Sequence, residues 1–235
     1  MTITKDMINE SVELGKSIFP IELDIQLFRD DVKINGEYDI FTDSIKLNEQ
    51  FLECISSELS VPLGEIVNHT VCHEMGHGFE ARAFSNESVF PWHIRMAHQS
   101  VFSIDEKLLS TQKFSHQLDV FLISVVDFPI DKILSEHEII DHTYKFQVRE
   151  IKNDISEDID YNDILTKVDS TFNLPLYMNN YLNAEDEAKE IIKNHVTSSI
   201  GENSWNYACD TLYNFEHGNV EHLKHIFVDF LDKYF

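Results

Sequence analysis

The sequence predicts an α+β chain: a small, mostly antiparallel sheet, a long helix carrying clustered ionisable side chains, and a mainly helical C-terminal part. Three observations predict it. Between Ile21 and Leu47, apolar and polar residues alternate at the two-residue period of strands. From Leu63 the apolar residues recur at helical spacing, through Ile66, Val67, Val71, Met75 and Phe79. Beyond about residue 151 the composition shifts to acidic and helix-forming runs.

The elements follow in order. Residues 5–18 read as a short amphipathic helix. "IELDIQLF", Ile21 to Phe28, is the first strand. "VKINGEYDIF" carries Asn35-Gly36, a strong two-residue hairpin signal, and "DSIKLNEQFL" places Ile45 and Leu47 at alternate positions. "EQFLECISSELS" is a helix; Pro62 fits the first turn of the next, with Ser60 as its N-cap. Lys107–Val126 is a long apolar helix that Pro129 interrupts or kinks. "KNDISEDIDYND" is a solvated connection or a helix N-terminus, and "NAEDEAKEIIKNHV" and "VEHLKHIFVDFLDKYF" are helices.

A length of 235 residues suits one domain, or one domain with a helical appendage, and a hydrophobic fraction of 43% supports a packed core. With 18 Lys+Arg against 42 Asp+Glu the formal charge is -24, a surface that repels phosphate backbones, so no nucleic-acid partner is expected. The three cysteines, Cys54, Cys72 and Cys209, are odd in number and widely spaced, which is neither a disulfide framework nor a thiolate zinc site. The N-terminus lacks a signal-peptide apolar core and no window approaches 18 apolar residues. The expectation is a cytoplasmic protein without a membrane partner.

The chemistry concentrates in "VNHTVCHEMGHGFEA", Val67 to Ala81. Residues four apart on a helix point the same way, so His73 and His77 can place two imidazole nitrogens on one metal ion. Glu74 projects beside that pair, where it can take a proton from a water that zinc has acidified. Gly76 and Gly78 either allow close packing or mark the helix end. Ionisable residues on so apolar a helix need partners, which favours a metal site over two satisfied core histidines.

The helix with "HEMGH", preceded by "NGEYDIFTDSIKLNEQFL", resembles the zincin metallopeptidases over roughly residues 20–140. The resemblance implies a zincin-like catalytic domain, residues 1–150, and leaves 151–235 as a helical region packed on it. It also implies Zn²⁺ as cofactor, a peptide or protein substrate, and Glu74 as general base. Zincins bind extended substrate on the edge strand of the small sheet by main-chain pairing, which here implies Glu37–Phe41 or Ser44–Leu47.

No His-x-x-Gly-x-x-His follows His77, so the metzincin pattern is absent. Gluzincins carry the third ligand on a later helix as Glu-x-x-x-Asp, and "VVDFPIDKILSEHE" offers Asp127 and Asp131 at that spacing, 50 residues after His77. Asp127 stands where the family has Glu, one methylene shorter. The resemblance makes Asp127 the ligand and Asp131 the carboxylate that orients a motif histidine. If a new helix starts at Pro129, Asp127 is an N-cap and Asp131 becomes the ligand. Glu136, His137, His93 and His98 are further candidates; His93, 16 residues after His77, resembles the third histidine of SprT-like proteases.

Cys72 is packing or an inhibitory thiolate, and His69 or Tyr144 is a candidate oxyanion donor. His217, His222 and His225 form a second metal site or, more simply, a solvated helix face. The function expected is zinc-dependent peptide-bond hydrolysis. The alternatives are a catalytically silent binding or regulatory protein on the same scaffold, or a non-peptide zinc hydrolase.

Overall fold

The computed structural model describes residues 2–83, 112–156 and 170–214. The chain is mixed α+β and mostly helical, with a single three-stranded sheet among the described residues. It divides into two compact units: Met1–Asn86 with Ile133–Thr143, and Glu87–Lys132 with Tyr144–Phe235.

The first unit holds α1 (Lys5–Ile18), β1 (Asp24–Phe28), β2 (Gly36–Asp39), β3 (Ser44–Asn48), α2 (Glu49–Leu59) and α3 (Leu63–Ala83). Thr4 caps α1, its side chain accepting from the Met7 amide at 3.2 Å. The sheet order is β1-β3-β2, with β3 in the middle. β3 pairs parallel with β1 (Ile25 opposite Ile45) and antiparallel with β2 (Tyr38 opposite Ile45). The sheet is therefore mixed, not mostly antiparallel, and Ser44–Leu47 is no edge.

The reason lies in Asn35-Gly36, which is not a hairpin turn. Residues 29–35 cross the end of β3, and Gly36 opens β2 on the far side. Asn48 holds that crossing: its side-chain NH₂ donates to the carbonyls of Asp30 (3.1 Å) and Val32 (2.8 Å), and its backbone N–H to Asn35 O at 3.0 Å. Its carbonyl oxygen also accepts from Phe51 N at 3.3 Å, capping α2. Asn48 is fully buried, so Asn48→Ala should cost about 1–2 kcal/mol for the lost cap, with two stranded carbonyls adding to it. A urea titration checks this; an unchanged midpoint would mean the crossing is held elsewhere.

Gly36 is needed for close approach. A Cβ there would lie 2.9 Å from Thr70 Cγ2 and 3.0 Å from Leu47 Cδ2, so glycine lets β2 lie directly against α3. The real β2–β3 turn is Ile40–Asp43. Asp39 Oδ1 accepts from the amides of Phe41 (2.9 Å) and Thr42 (3.2 Å), and Asp43 adopts a left-handed φ of 49°. Ile45 and Leu47 are fully buried.

Helix α3 runs unbroken through its glycines. Pro62 precedes it, and the Pro62 carbonyl accepts from Glu65 N (3.0 Å) and Ile66 N (3.4 Å). Ser60 is not its N-cap: with φ of 54° it ends α2 in the left-handed conformation. Arg82 ties the far end, donating to Glu22 O at 2.7 Å and to Asp43 Oδ2 at 2.6 Å. That guanidinium holds the Asp43 carboxyl below its usual range, and Tyr38 OH donates to the same side chain at 2.7 Å.

The second unit takes most of α4 (Gln112–Glu136), with α5 (Tyr144–Ser156), α6 (Leu174–Asn183), α7 (Asp186–Ile200) and α8 (Glu202–Tyr213). Pro129 neither ends α4 nor starts a new helix; it lies inside it. The missing N–H leaves the Val125 carbonyl without its helical donor. Beside that gap, Asn179 on α6 donates to Ser124 O at 3.0 Å, and Phe128 and Ile130 on either side of the proline are fully buried. Packing thus carries the helix through a residue that disfavours it. Tyr177 and His195 share a buried hydrogen bond of 3.1 Å between α6 and α7. The last 21 residues, including "VEHLKHIFVDFLDKYF", lie outside the described residues. Among the described residues no helix is long and apolar enough to cross a membrane.

Candidate metal centre

Helix α3 is buried on almost every side. Its apolar stripe is in the core, as expected, but so are His69, Glu74, His77 and Glu80, each under a tenth exposed. Putting four ionisable side chains at such depth is costly unless each has a partner.

Two glycines and a serine bring the neighbours close. Gly15 and Ser11 on α1 face Cys72, Met75 and Asn68 on α3, and Ser11 Oγ donates to Asn68 Oδ1 at 2.5 Å. A Cβ at Gly78 would lie 2.6 Å from Leu23 Cδ1 and 3.2 Å from Tyr38 Cε2, so Gly78 serves close packing and does not mark a helix end. Thr70 and Gly78 are the α3 positions that β2 approaches. At 3.6 residues per turn, Glu74 heads about midway between them. By spacing, the buried Glu74 shares a helix face with Thr70 and Gly78, two positions against which β2 packs, and His73 and His77 lie on the neighbouring face.

The two motif histidines meet. His73 Nε2 and His77 Nε2 are 3.1 Å apart, with ring centroids at 4.8 Å and planes at 80°. Two nitrogens bound to one tetrahedral zinc at their usual bond length would be about 3.3 Å apart, so the pair fits a shared ion. For Nε2 to bind metal, His77 must carry its proton on Nδ1. That nitrogen faces Glu80 Oε2 at 3.8 Å. Glu80 escaped the sequence reading, although its i, i+3 spacing from His77 was visible.

His69 continues the row one turn earlier, its ring centroid 5.6 Å from that of His73. Among the described residues of α3, the three histidines form two overlapping pairs that could share a metal ion, His73 with His77 and His69 with His73. Within each pair, one ring nitrogen of each histidine lies within 4.8 Å of the other. Asp131 is buried and Asp127 half-buried. Because α4 is continuous, the reading of Asp127 as the N-cap of a new helix is set aside.

Other candidates fall elsewhere. His137 Nδ1 is 2.9 Å from Ile133 O at the exposed end of α4, and Glu136 is exposed. Tyr144 begins α5, and burial and then the Glu185 charge push its phenol up. His93, His98, His217, His222 and His225 lie outside the described residues.

Cys72 is fully buried, its Sγ 3.7 Å from Ser11 O, and burial pushes its thiol up to about 12. A thiol so disposed is packing, not an inhibitory thiolate. In the folded chain Cys72 should resist alkylation under mildly alkaline conditions that label exposed Cys54. Peptide mass spectrometry with and without denaturant checks this; equal native labelling of the two would mean that the α1–α3 seam opens.

No protein-family model matches the chain, and no curated protein or solved structure matches it either.

Proposed function

We propose that the chain is a zinc-dependent metallopeptidase of gluzincin-like design. The observation that carries the reading is the meeting of His73 and His77 Nε2 at 3.1 Å on a helix whose intervening Glu74 is buried. A structural metal site has no use for that carboxylate; a hydrolytic one requires it. Zinc would be held by His73, His77 and Asp127, with Asp131 as the other candidate third ligand. The ion supplies charge that acidifies a water and polarises a carbonyl.

The residues of the chain do the rest. Glu74 accepts the proton of the attacking water and returns it to the departing amine. The Glu80 carboxylate, 3.8 Å from His77 Nδ1, favours the proton on that nitrogen through its charge and leaves Nε2 for the metal. The outer edge of β2 offers backbone groups to an extended peptide, and Glu74 shares the helix face on which β2 packs. A peptide substrate is favoured over a small ester or amide because an edge strand beside the base adds main-chain recognition.

The test is zinc content and cleavage of a mixed peptide library, measured on the wild type and Glu74→Gln side by side. Zinc in both with cleavage only in the wild type supports the reading. Zinc in both with cleavage in neither moves the weight to a silent scaffold, and cleavage confined to non-peptide esters moves it to another hydrolase.

A further inference from the structure

The motif uses two histidines of α3, but the helix presents three in successive turns: His69, His73 and His77. Their rings follow one another at 5.6 and 4.8 Å. His69 is only 9% exposed. A buried histidine about one turn from the His73–His77 pair, on the same helix face, continues one row of imidazole rings. Both neighbouring pairs, His69 with His73 and His73 with His77, place ring nitrogens within 4.8 Å of each other, and the two pairs share His73.

We propose that the row offers one metal ion two alternative positions, one turn apart: a working position on His73 and His77, and a holding position on His69 and His73. This rests on the metal reading of α3 given above. The positions exclude each other because they share His73. A neutral imidazole has one nitrogen lone pair to give, and serving two ions would require the ring to lose its second proton. The positions also differ in chemistry. Glu74 lies three residues before His77, on the neighbouring helix ridge, so the working ion has the base beside it. One turn toward the helix N-terminus, about 5.4 Å away, the ion is drawn back from that carboxylate. Metal in the holding position is bound without its general base. The chain can therefore carry zinc while inactive, and occupancy of the two positions sets the active fraction.

The experiment is Co²⁺ titration of the full chain, followed by visible absorption and by metal analysis after desalting. The account expects one ion per chain in the wild type. His77→Gln should still bind one Co²⁺, with an altered ligand-field spectrum and no peptide cleavage. His69→Gln should also bind one ion, whereas His73→Gln and the His69→Gln/His77→Gln double variant should bind none. Far-UV circular dichroism of the metal-free forms verifies folding. Should His77→Gln not fold, ¹⁵N imidazole spectra of the wild type decide: one equivalent of Zn²⁺ should give His69 the large shift of a coordinated nitrogen. A folded His77→Gln that binds no Co²⁺, or a His69 nitrogen that stays uncoordinated, overturns the second position and leaves the first reading intact. Two ions per wild-type chain overturn the exclusion, and a wild type that binds none overturns both readings.

Discussion

Glu74→Gln should leave zinc on the protein and lower peptide cleavage by about 10²–10⁴-fold, the usual contribution of a general base. The substitution keeps shape and volume, so a side chain that is 9% exposed can be replaced without a cavity. What changes is the capacity to accept a proton. Glutamine can still hydrogen-bond a water, but it cannot remove a proton from it. Metal affinity should persist because Glu74 lies beside the histidine pair and is not one of the proposed ligands. The signature is therefore a fall in kcat at unchanged zinc content. Loss of zinc together with activity would make Glu74 a ligand or a structural support, and unchanged activity would remove it from the reaction.

The second large effect is expected at Gly78. A Cβ there meets Leu23 Cδ1 at 2.6 Å, Ile21 Cδ1 at 3.1 Å and Tyr38 Cε2 at 3.2 Å. For Gly78→Ala two terms oppose each other. Alanine favours the helix by up to about 1 kcal/mol over glycine, while the methyl must displace two flexible side-chain ends. Gly78→Val adds branched bulk against the Tyr38 ring and lowers helix propensity again, so it should destabilise by about 1–3 kcal/mol. Because Tyr38 belongs to β2, the added bulk pushes the edge strand off α3. Cleavage should then weaken through KM while zinc affinity holds. Denaturant unfolding and steady-state kinetics check the two parts. Wild-type stability in Gly78→Val would mean that β2 does not press on α3 as described.

Helices α1, α2, α3 and α7 were legible because their signals are local, whereas α5, α6 and α8 were foreseen only as part of a mainly helical region. Thr4 and the spacing of apolar residues set α1, and the apolar stripe from Leu63 to Phe79 set α3. The sheet was legible only as three strands. Asn35-Gly36 has the composition of a hairpin turn, but it serves as a tight contact with Thr70, and that contact is visible only once α3 packs on β2. The strand order depends on Asn48 clipping the crossing of residues 29–35, a tertiary hydrogen-bond set with no local signature. Pro129 misled in the same way: propensity argues for a break, and burial of Phe128 and Ile130 outweighs it. Of the candidate site, the pair His73 and His77 followed from spacing alone. The aspartates were legible as a spacing on α4. His69 has the same i, i+4 spacing to His73, but its place in the row depends on its burial and ring stacking, which leave no local signature.

The proposal that α3 binds a catalytic metal ion stands or falls on the zinc stoichiometry of the purified full chain. After dialysis against a modest excess of Zn²⁺ and removal of free ion, one zinc per wild-type chain and none in His73→Gln are expected. A wild type that stays metal-free, or a His73→Gln that retains its full zinc, would contradict it.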